Sequence, residues 1–301
     1  MIKFNVEMFC LEVYMGSIFE YGKAICYSGY RKGQSPMGEA PTKEQIAEDI
    51  KILVDEGYKY VRMYDPNIHA RYVCEIIREN NYDIKCIVGM DSVNEVNNKE
   101  CPFEKQEFTD EELQAHIARN DGERVKLIAL AKEFSDVIIA VSVGNENTPV
   151  WTAHKVPTER LLHHIREIKS QLDIPVTFCE GCSDWLNIPE VAAEVDFISG
   201  HSYPYHCNVE VKDAVQFNRD HLKLMKETFP DKEFIFTEMG WSSCVSLDDE
   251  STYDDELFAW LEEDKVVGFV FEAFDELWKG PTPESSECCF GIYNENRQRK
   301  W

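Results

Sequence analysis

The sequence is short of positive charge: 31 Lys and Arg stand against 56 Asp and Glu, a net charge of −25 over 301 residues. A surface of that sign repels phosphate backbones and anionic lipid, which argues against nucleic acid and membrane as partners and suits a neutral substrate. Long apolar runs are also missing. No stretch approaches the roughly 18 residues that cross a bilayer, and Glu7, Glu12 and Glu20 interrupt the apolar residues near the N-terminus, so no leader core is visible. The expectation is a monomer of the cytoplasm, or a secreted protein had a leader been removed. No glycine-rich dinucleotide or phosphate fingerprint follows the first predicted strand. The 11 cysteines are odd in number and scattered, apart from Cys288-Cys289. A disulfide framework favours an even set, so they read as reduced thiols. Cys26, Cys86 and Cys179, inside predicted strands, read as small hydrophobes.

What the chain does have is alternation. Short, near-continuously apolar runs at 24–28, 60–64, 84–89, 137–143, 176–179, 197–200, 234–237 and 267–271 predict strands covered on both faces. Amphipathic stretches at 42–56, 71–80, 110–134, 158–172, 211–228 and 253–263 predict the intervening helices. Thr42 with Gln45 forms a capping-box signature, and Gly57 closes that helix. Strand–helix alternation over a chain of this length predicts an α/β fold, a single-domain (β/α)8 TIM barrel, which typically needs about 250 residues. Residues 23–301 are assigned to the barrel and 1–22 to an N-terminal extension. The longest irregular stretch, 90–109, falls on the face where barrel active sites are built.

Two strands end in glutamate: Val143-Gly-Asn-Glu146 closes the fourth and Thr237-Glu238-Met-Gly-Trp241 the seventh. Strand-end carboxylates on the C-terminal face point into the barrel mouth, and strands four and seven lie on roughly opposite sides of it. Glycoside cleavage with retention needs two carboxyl groups about 5–5.5 Å apart, one attacking the anomeric carbon and one protonating the leaving oxygen. Mutual repulsion in a partly dry site is expected to keep Glu146 protonated and Glu238 ionised. Either glutamate alone reads equally as a solvated cap; the pair does not.

These segments resemble glycoside hydrolase family 17, the β-1,3-glucanase family. Val-Gly-Asn-Glu (143–146) is similar to its acid/base motif and Thr-Glu-Met-Gly-Trp-Ser (237–242) to its nucleophile motif. Residues 25–36, Val61-Arg-Met-Tyr-Asp65, Ser202-Tyr-Pro-Tyr205, 271–279 and Glu287-Cys-Cys-Phe-Gly291 resemble further segments in order, over about residues 23–293. The likeness is greatest to the compact bacterial and fungal branch. Ser242, Cys288-Cys289 and the short 244–255 segment depart from the pattern without touching the catalytic pair. The resemblance implies a retaining β-glucan hydrolase with Glu146 as acid/base and Glu238 as nucleophile, acting on β-1,3-glucan or its oligosaccharides without cofactor or metal.

It also implies substrate-binding roles, each with a structural alternative. Asn145 suits a sugar 2-hydroxyl or caps a turn. Tyr203 bonds the nucleophile or sits in the core. Arg62, with Tyr64 in the same motif, holds Glu238 ionised or makes a surface ion pair. Trp241 is a stacking platform or core. Glu276, Lys279 and Glu287 match a polar cluster near the acid/base, with Glu272 a further cleft carboxylate beside Phe274; a solvated charged loop is the alternative. Tyr27 and Tyr30 line the floor at strand one. Cys179-Glu-Gly-Cys182, with His201 and His206 nearby, is a lone metal-ligand spacing, whereas structural zinc usually pairs two. Other readings left open are a β-1,3-glucan transglycosylase, a barrel that binds glucan without cleaving it, and a relative acting on β-1,4 chains.

Overall fold

Thr42 does what its sequence position predicts. Its hydroxyl accepts the Gln45 N–H while the Gln45 side chain accepts the Thr42 N–H. The same box, Thr109 with Glu112, starts the longest helix. From such starts the chain alternates strictly. The computed structural model describes residues 17–104 and 106–301. Its elements run β1 (Lys23–Cys26), α1 (Lys43–Asp55), β2 (Tyr58–Met63), α2 (Ile68–Asn80), β3 (Lys85–Met90), α3 (Asp110–Glu133) and β4 (Ile138–Asn145). They continue through α4 (Thr158–Lys169), β5 (Val176–Gly181), α5 (Pro189–Glu194), β6 (Phe197–Ser202), α6 (Val211–Thr228), β7 (Glu233–Met239), α7 (Leu247–Asp264) and β8 (Gly268–Val270). The eight strands are all parallel and close into a barrel in chain order, β8 pairing with β1. The predicted (β/α)8 fold is therefore the observed one. The short α5 lacks the length that makes amphipathic periodicity legible in the sequence.

Strand alternation divides the core in two. Ala24, Cys26, Tyr60, Ile87, Ala140, Phe197, Ile235 and Phe269 fill the barrel interior. Ile25, Val61, Val88, Val141, Phe178, Ile198 and Phe236 face outward onto Ile46, Ile50, Val73, Leu127, Leu161 and Leu257 of the helices. The expected N-terminal extension lies outside the described residues up to 16, and the rest of it is not peripheral. Glu233 accepts the backbone N–H groups of Ile18 and Phe19, and Phe19 packs edge-on against Phe197 and Tyr60 in the barrel interior. Among the described residues no helix is long and apolar enough to cross a membrane.

Two register slips matter for the mouth. β4 slips against β5 between Ser142 and Asn145. β7 slips against β6 so that Gly200 pairs with Phe236 but His201 pairs with Glu238. A bulge re-aims the side chains beyond it. Ile235 faces inward and Phe236 outward, so simple alternation would turn Glu238 away from the interior. The slip brings it back.

Candidate active site

Arg62 lies two residues beyond Tyr60 on β2 and therefore faces the barrel interior, where its side chain is 1% exposed. A guanidinium cannot shed its charge, so it must be paired there. Its Nη1 bonds Glu238 Oε1 and, at 3.2 Å, the Thr237 carbonyl. Its Nη2 bonds Asn145 Oδ1 at 2.5 Å. One cation thus ties the end of β7 to the end of β4. Tyr64 donates to Glu238 Oε1 at 3.0 Å and Tyr203 to Oε2 at 2.6 Å. Both carboxylate oxygens are held, and with Asn145 Oδ1 taken by Arg62, that amide keeps its NH2 as a donor.

Glu146 sits just past β4 in a left-handed turn. Gly144 has φ of 80° and Glu146 itself 50°, a region a side chain rarely occupies. Asn147 Oδ1 accepts the Asn145 N–H at 2.9 Å, and the Glu146 N–H donates to the Cys179 carbonyl at 2.9 Å. A Cβ on residue 144 would lie 2.2 Å from Asn147 Oδ1, so glycine is required there. The turn delivers the Glu146 carboxyl, 21% exposed, to the mouth.

Between the two carboxyls stands His201, 1% exposed. Its Nδ1 is 2.8 Å from Glu146 Oε1 and 3.5 Å from Glu238 Oε2. The ligand atoms of Glu146, His201 and Glu238 all lie within 4.8 Å of one another. The sequence predicts two carboxyls facing each other directly; an imidazole bridges them instead. A signal for it existed: Phe197, Ser199, His201 and Tyr203 share one face of β6 by period two.

The family model for the BtgE/BtgC glycoside hydrolase domain matches residues 24–291, nearly the whole barrel. The chain belongs to that family. Solved structures of similar fold include an endo-laminarinase from Formosa Hel1_33_131, 21% identical over 91% of this chain and 83% of that one, TM-score 0.75. A Rhizomucor miehei β-1,3-glucanosyltransferase, an active-site mutant in complex with laminaritriose, is 18% identical over 93% and 95%, TM-score 0.73. A β-glucuronidase from Bacteroides uniformis is 15% identical over 95% of this chain and 34% of that one, TM-score 0.71. At these identities the likeness establishes the fold. No curated relative matches significantly.

Within this glycoside hydrolase domain the other expected site residues divide. Glu272, Glu276 and Lys279 do come together: Lys279 Nζ lies 2.6 Å from Glu272 and 2.8 Å from Glu276, all three nearly buried. The cluster reaches the carboxyl pair from the Glu238 side, since Lys279 covers the Phe271 ring, which packs edge-on against Tyr203. Glu287 is not part of it. It is half exposed and 3.5 Å from His206. Tyr30 sits beside the cluster, its N–H donating to Glu276 at 3.2 Å. Tyr27 is 1% exposed and donates to Asp49 on α1, so it braces the wall rather than lining a floor. Trp241, 7% exposed, packs between Tyr205 and Tyr253, and Phe274 lies between Tyr27, Tyr293 and Arg297. Trp241 took the core alternative, and Phe274, expected to bind substrate, is packed into the core as well, because the chain after β7 and β8 folds over them.

A cation could in principle sit among Glu146, His201 and Glu238, the one such grouping among the described residues. The donor set fits a metal poorly, because Arg62, Tyr64 and Tyr203 already occupy both oxygens of Glu238. Cys179 and Cys182 are buried and outside that grouping.

The charges explain a pH dependence. Burial opposes ionisation of Glu238, but His201 and Arg62 outweigh it and hold its carboxyl down to about 2. Burial likewise opposes the His201 cation, yet Glu238, Cys179 and Glu146 lift it to about 10. Burial, with the Glu146 charge behind it, lifts Glu180 to about 8. The depressed Glu238 contributes stability above its ordinary 4.5 that is lost as pH falls towards 2. The raised His201 contributes below its ordinary 6.5 and is lost as pH rises towards 10. Glu180 adds a penalty that grows between 4.5 and 8. Urea denaturation is therefore expected to find maximal stability near pH 4.5, with a decline on both sides that steepens above about 6.5. A curve level from 6.5 to 9 would remove the imidazolium from beside Glu238.

Proposed function

We propose that the chain is a retaining glycosidase that cleaves β-1,3-glucosidic bonds in β-glucans by double displacement. The observation that carries this is the pair of mouth carboxyls, one oxygen of each within 4.8 Å of the other, with Glu238 held ionised by a buried arginine. So close an approach matches the roughly 5–5.5 Å of a retaining pair better than the wider gap of roughly 6.5–9.5 Å in inverting enzymes, and fits direct attack. A Glu238 oxygen bonds to the anomeric carbon as the bond to the leaving oxygen breaks, and Glu146 gives that oxygen its proton. Water then attacks the glycosyl ester, Glu146 takes the water's proton, and Glu238 leaves as carboxylate. Arg62, Tyr64 and Tyr203 hold the nucleophile, and the Asn145 NH2 is the donor placed for the sugar 2-hydroxyl.

The motif resemblance to family 17 and the folds shared with an endo-laminarinase and a β-1,3-glucanosyltransferase support β-1,3-glucan as the substrate. Transfer of the glucosyl group to a second sugar uses the same intermediate, and the glucanosyltransferase neighbour favours testing it alongside. A barrel that only binds glucan would have no need of the complete support around Glu238. Proton NMR of freshly cut laminari-oligosaccharides is expected to show the β-anomer first. Initial appearance of the α-anomer would overturn the mechanism, and cleavage of β-1,4 chains alone would overturn the substrate.

A further inference from the structure

Two aromatic pairs stand on the barrel mouth outside the catalytic cluster. Phe103 and Trp151, on the loops after β3 and β4, meet edge-to-face at 6.4 Å. Tyr30 and Trp278, after β1 and β8, meet edge-to-face at 5.8 Å. Phe103, Trp151 and Trp278 are 74%, 39% and 39% exposed, the large exposed Phe and Trp side chains among the described residues. All three lie on loops that follow strands, so all are on the active-site face.

Exposed rings on mobile loops would mean little. These loops are pinned by buried polar groups. Asn98, 4% exposed, donates to the carbonyls of Val150 and Thr152 on either side of Trp151. Gln106, equally buried, accepts the Asn98 N–H and donates to the Ala153 carbonyl. The loop after β3 and the loop that begins just past Glu146 are thereby one wall. On the other side, Trp278 is flanked in the chain by Lys279, which Glu272 and Glu276 clamp, and Glu276 also holds the Tyr30 N–H. Water-exposed aromatic surface costs free energy, about 25 cal/mol per Å². Fixing it in place with buried amides and an ion cluster makes sense where a flat, neutral, partly apolar ligand covers the rings.

We propose that Phe103 with Trp151 on one side, and Trp278 braced from beneath by the buried Tyr30 on the other, are outer sugar-stacking sites flanking the catalytic pair, so that the preferred substrate is a glucan chain extending across the mouth. The occupant follows from continuity, since both platforms are mounted on the loops that carry Glu146 and the cluster behind Tyr203. The acidic surface also favours a neutral chain over an anionic one. The inference rests on the proposed glucanase reading and deepens it from bond to polymer.

The test is kinetic, with wild type, Trp151→Ala and Trp278→Ala on laminari-oligosaccharides of increasing length and on laminarin. The substitutions are on the surface, so folding is preserved. The loss in kcat/KM is expected to grow with chain length, reaching about tenfold on laminarin for each variant, the effect of one stacked ring. A loss that is absent, or the same at every length, overturns the proposal and leaves the reaction standing. Tryptophan fluorescence titration separates the two readings. Should wild type cleave no β-glucan, yet laminarin quench it in a way that depends on Trp151, the sites stand and the reaction falls. Absence of quenching by any glucan overturns the sites.

Discussion

Replacing Glu238 by Gln is expected to lower kcat on laminarin by on the order of 10⁴-fold or more, the scale on which removal of a covalent nucleophile is felt. The amide keeps the shape and loses both the nucleophile and the counter-charge of Arg62. That guanidinium is 1% exposed and has no other anion bonded to it among the described residues. Breaking a buried pair by removing one partner costs about 3–5 kcal/mol, because the remaining charge stays buried. The variant should therefore also unfold at lower urea. The two effects separate through a small nucleophile: azide added to Glu238→Gly, with an activated aryl glucoside, is expected to restore turnover and yield the α-glucosyl azide. Azide attacks from the face the carboxylate vacated, so the product has inverted configuration. Rescue with a β-configured product, or none from a folded variant, would place the nucleophile elsewhere.

Glu146→Gln is expected to behave differently. General-acid assistance typically contributes about 10²–10⁴-fold, and it matters most when the leaving group is a poor one. Turnover on laminaritriose should fall within that range, while an aryl glucoside that departs as a stable phenolate should still form the glycosyl ester readily. His201 keeps its contact with Glu238 in this variant, so folding stability should change less than in Glu238→Gln. Full activity on laminaritriose would remove Glu146 from the mechanism.

Much of this architecture is legible in the chain before any coordinates. Buried parallel strands must be apolar on both faces, so β1 to β8 announce themselves as short continuous runs. Helix starts at Thr42 and Thr109 are legible because capping is a contest among adjacent residues. Glu146 and Glu238 stand out because each ends such a run. The placement of Trp241 and Phe274 was not legible, since an aromatic residue after a strand serves equally as platform or core. The chain segment that covers it decides which, and for both that cover arrives from distant residues. Glu287 was grouped with Lys279 by motif order, yet the loop around the turn Ser286–Cys288 carries it to His206 instead.

The sequence alone determined the strand count, the closed α/β barrel and the identity of the two mouth carboxyls, because periodicity and strand-end position are local properties. The tertiary structure decided how those carboxyls are placed and partnered. The register slip in β7 turns Glu238 inward, the left-handed turn at Gly144 lifts Glu146 to meet it, and β6 inserts His201 between them. Each depends on hydrogen bonding to a neighbouring strand or on a charge supplied from elsewhere in the chain. Arg62 shows the reason most directly: a buried cation on β2 acquires its meaning from a carboxylate 176 residues away.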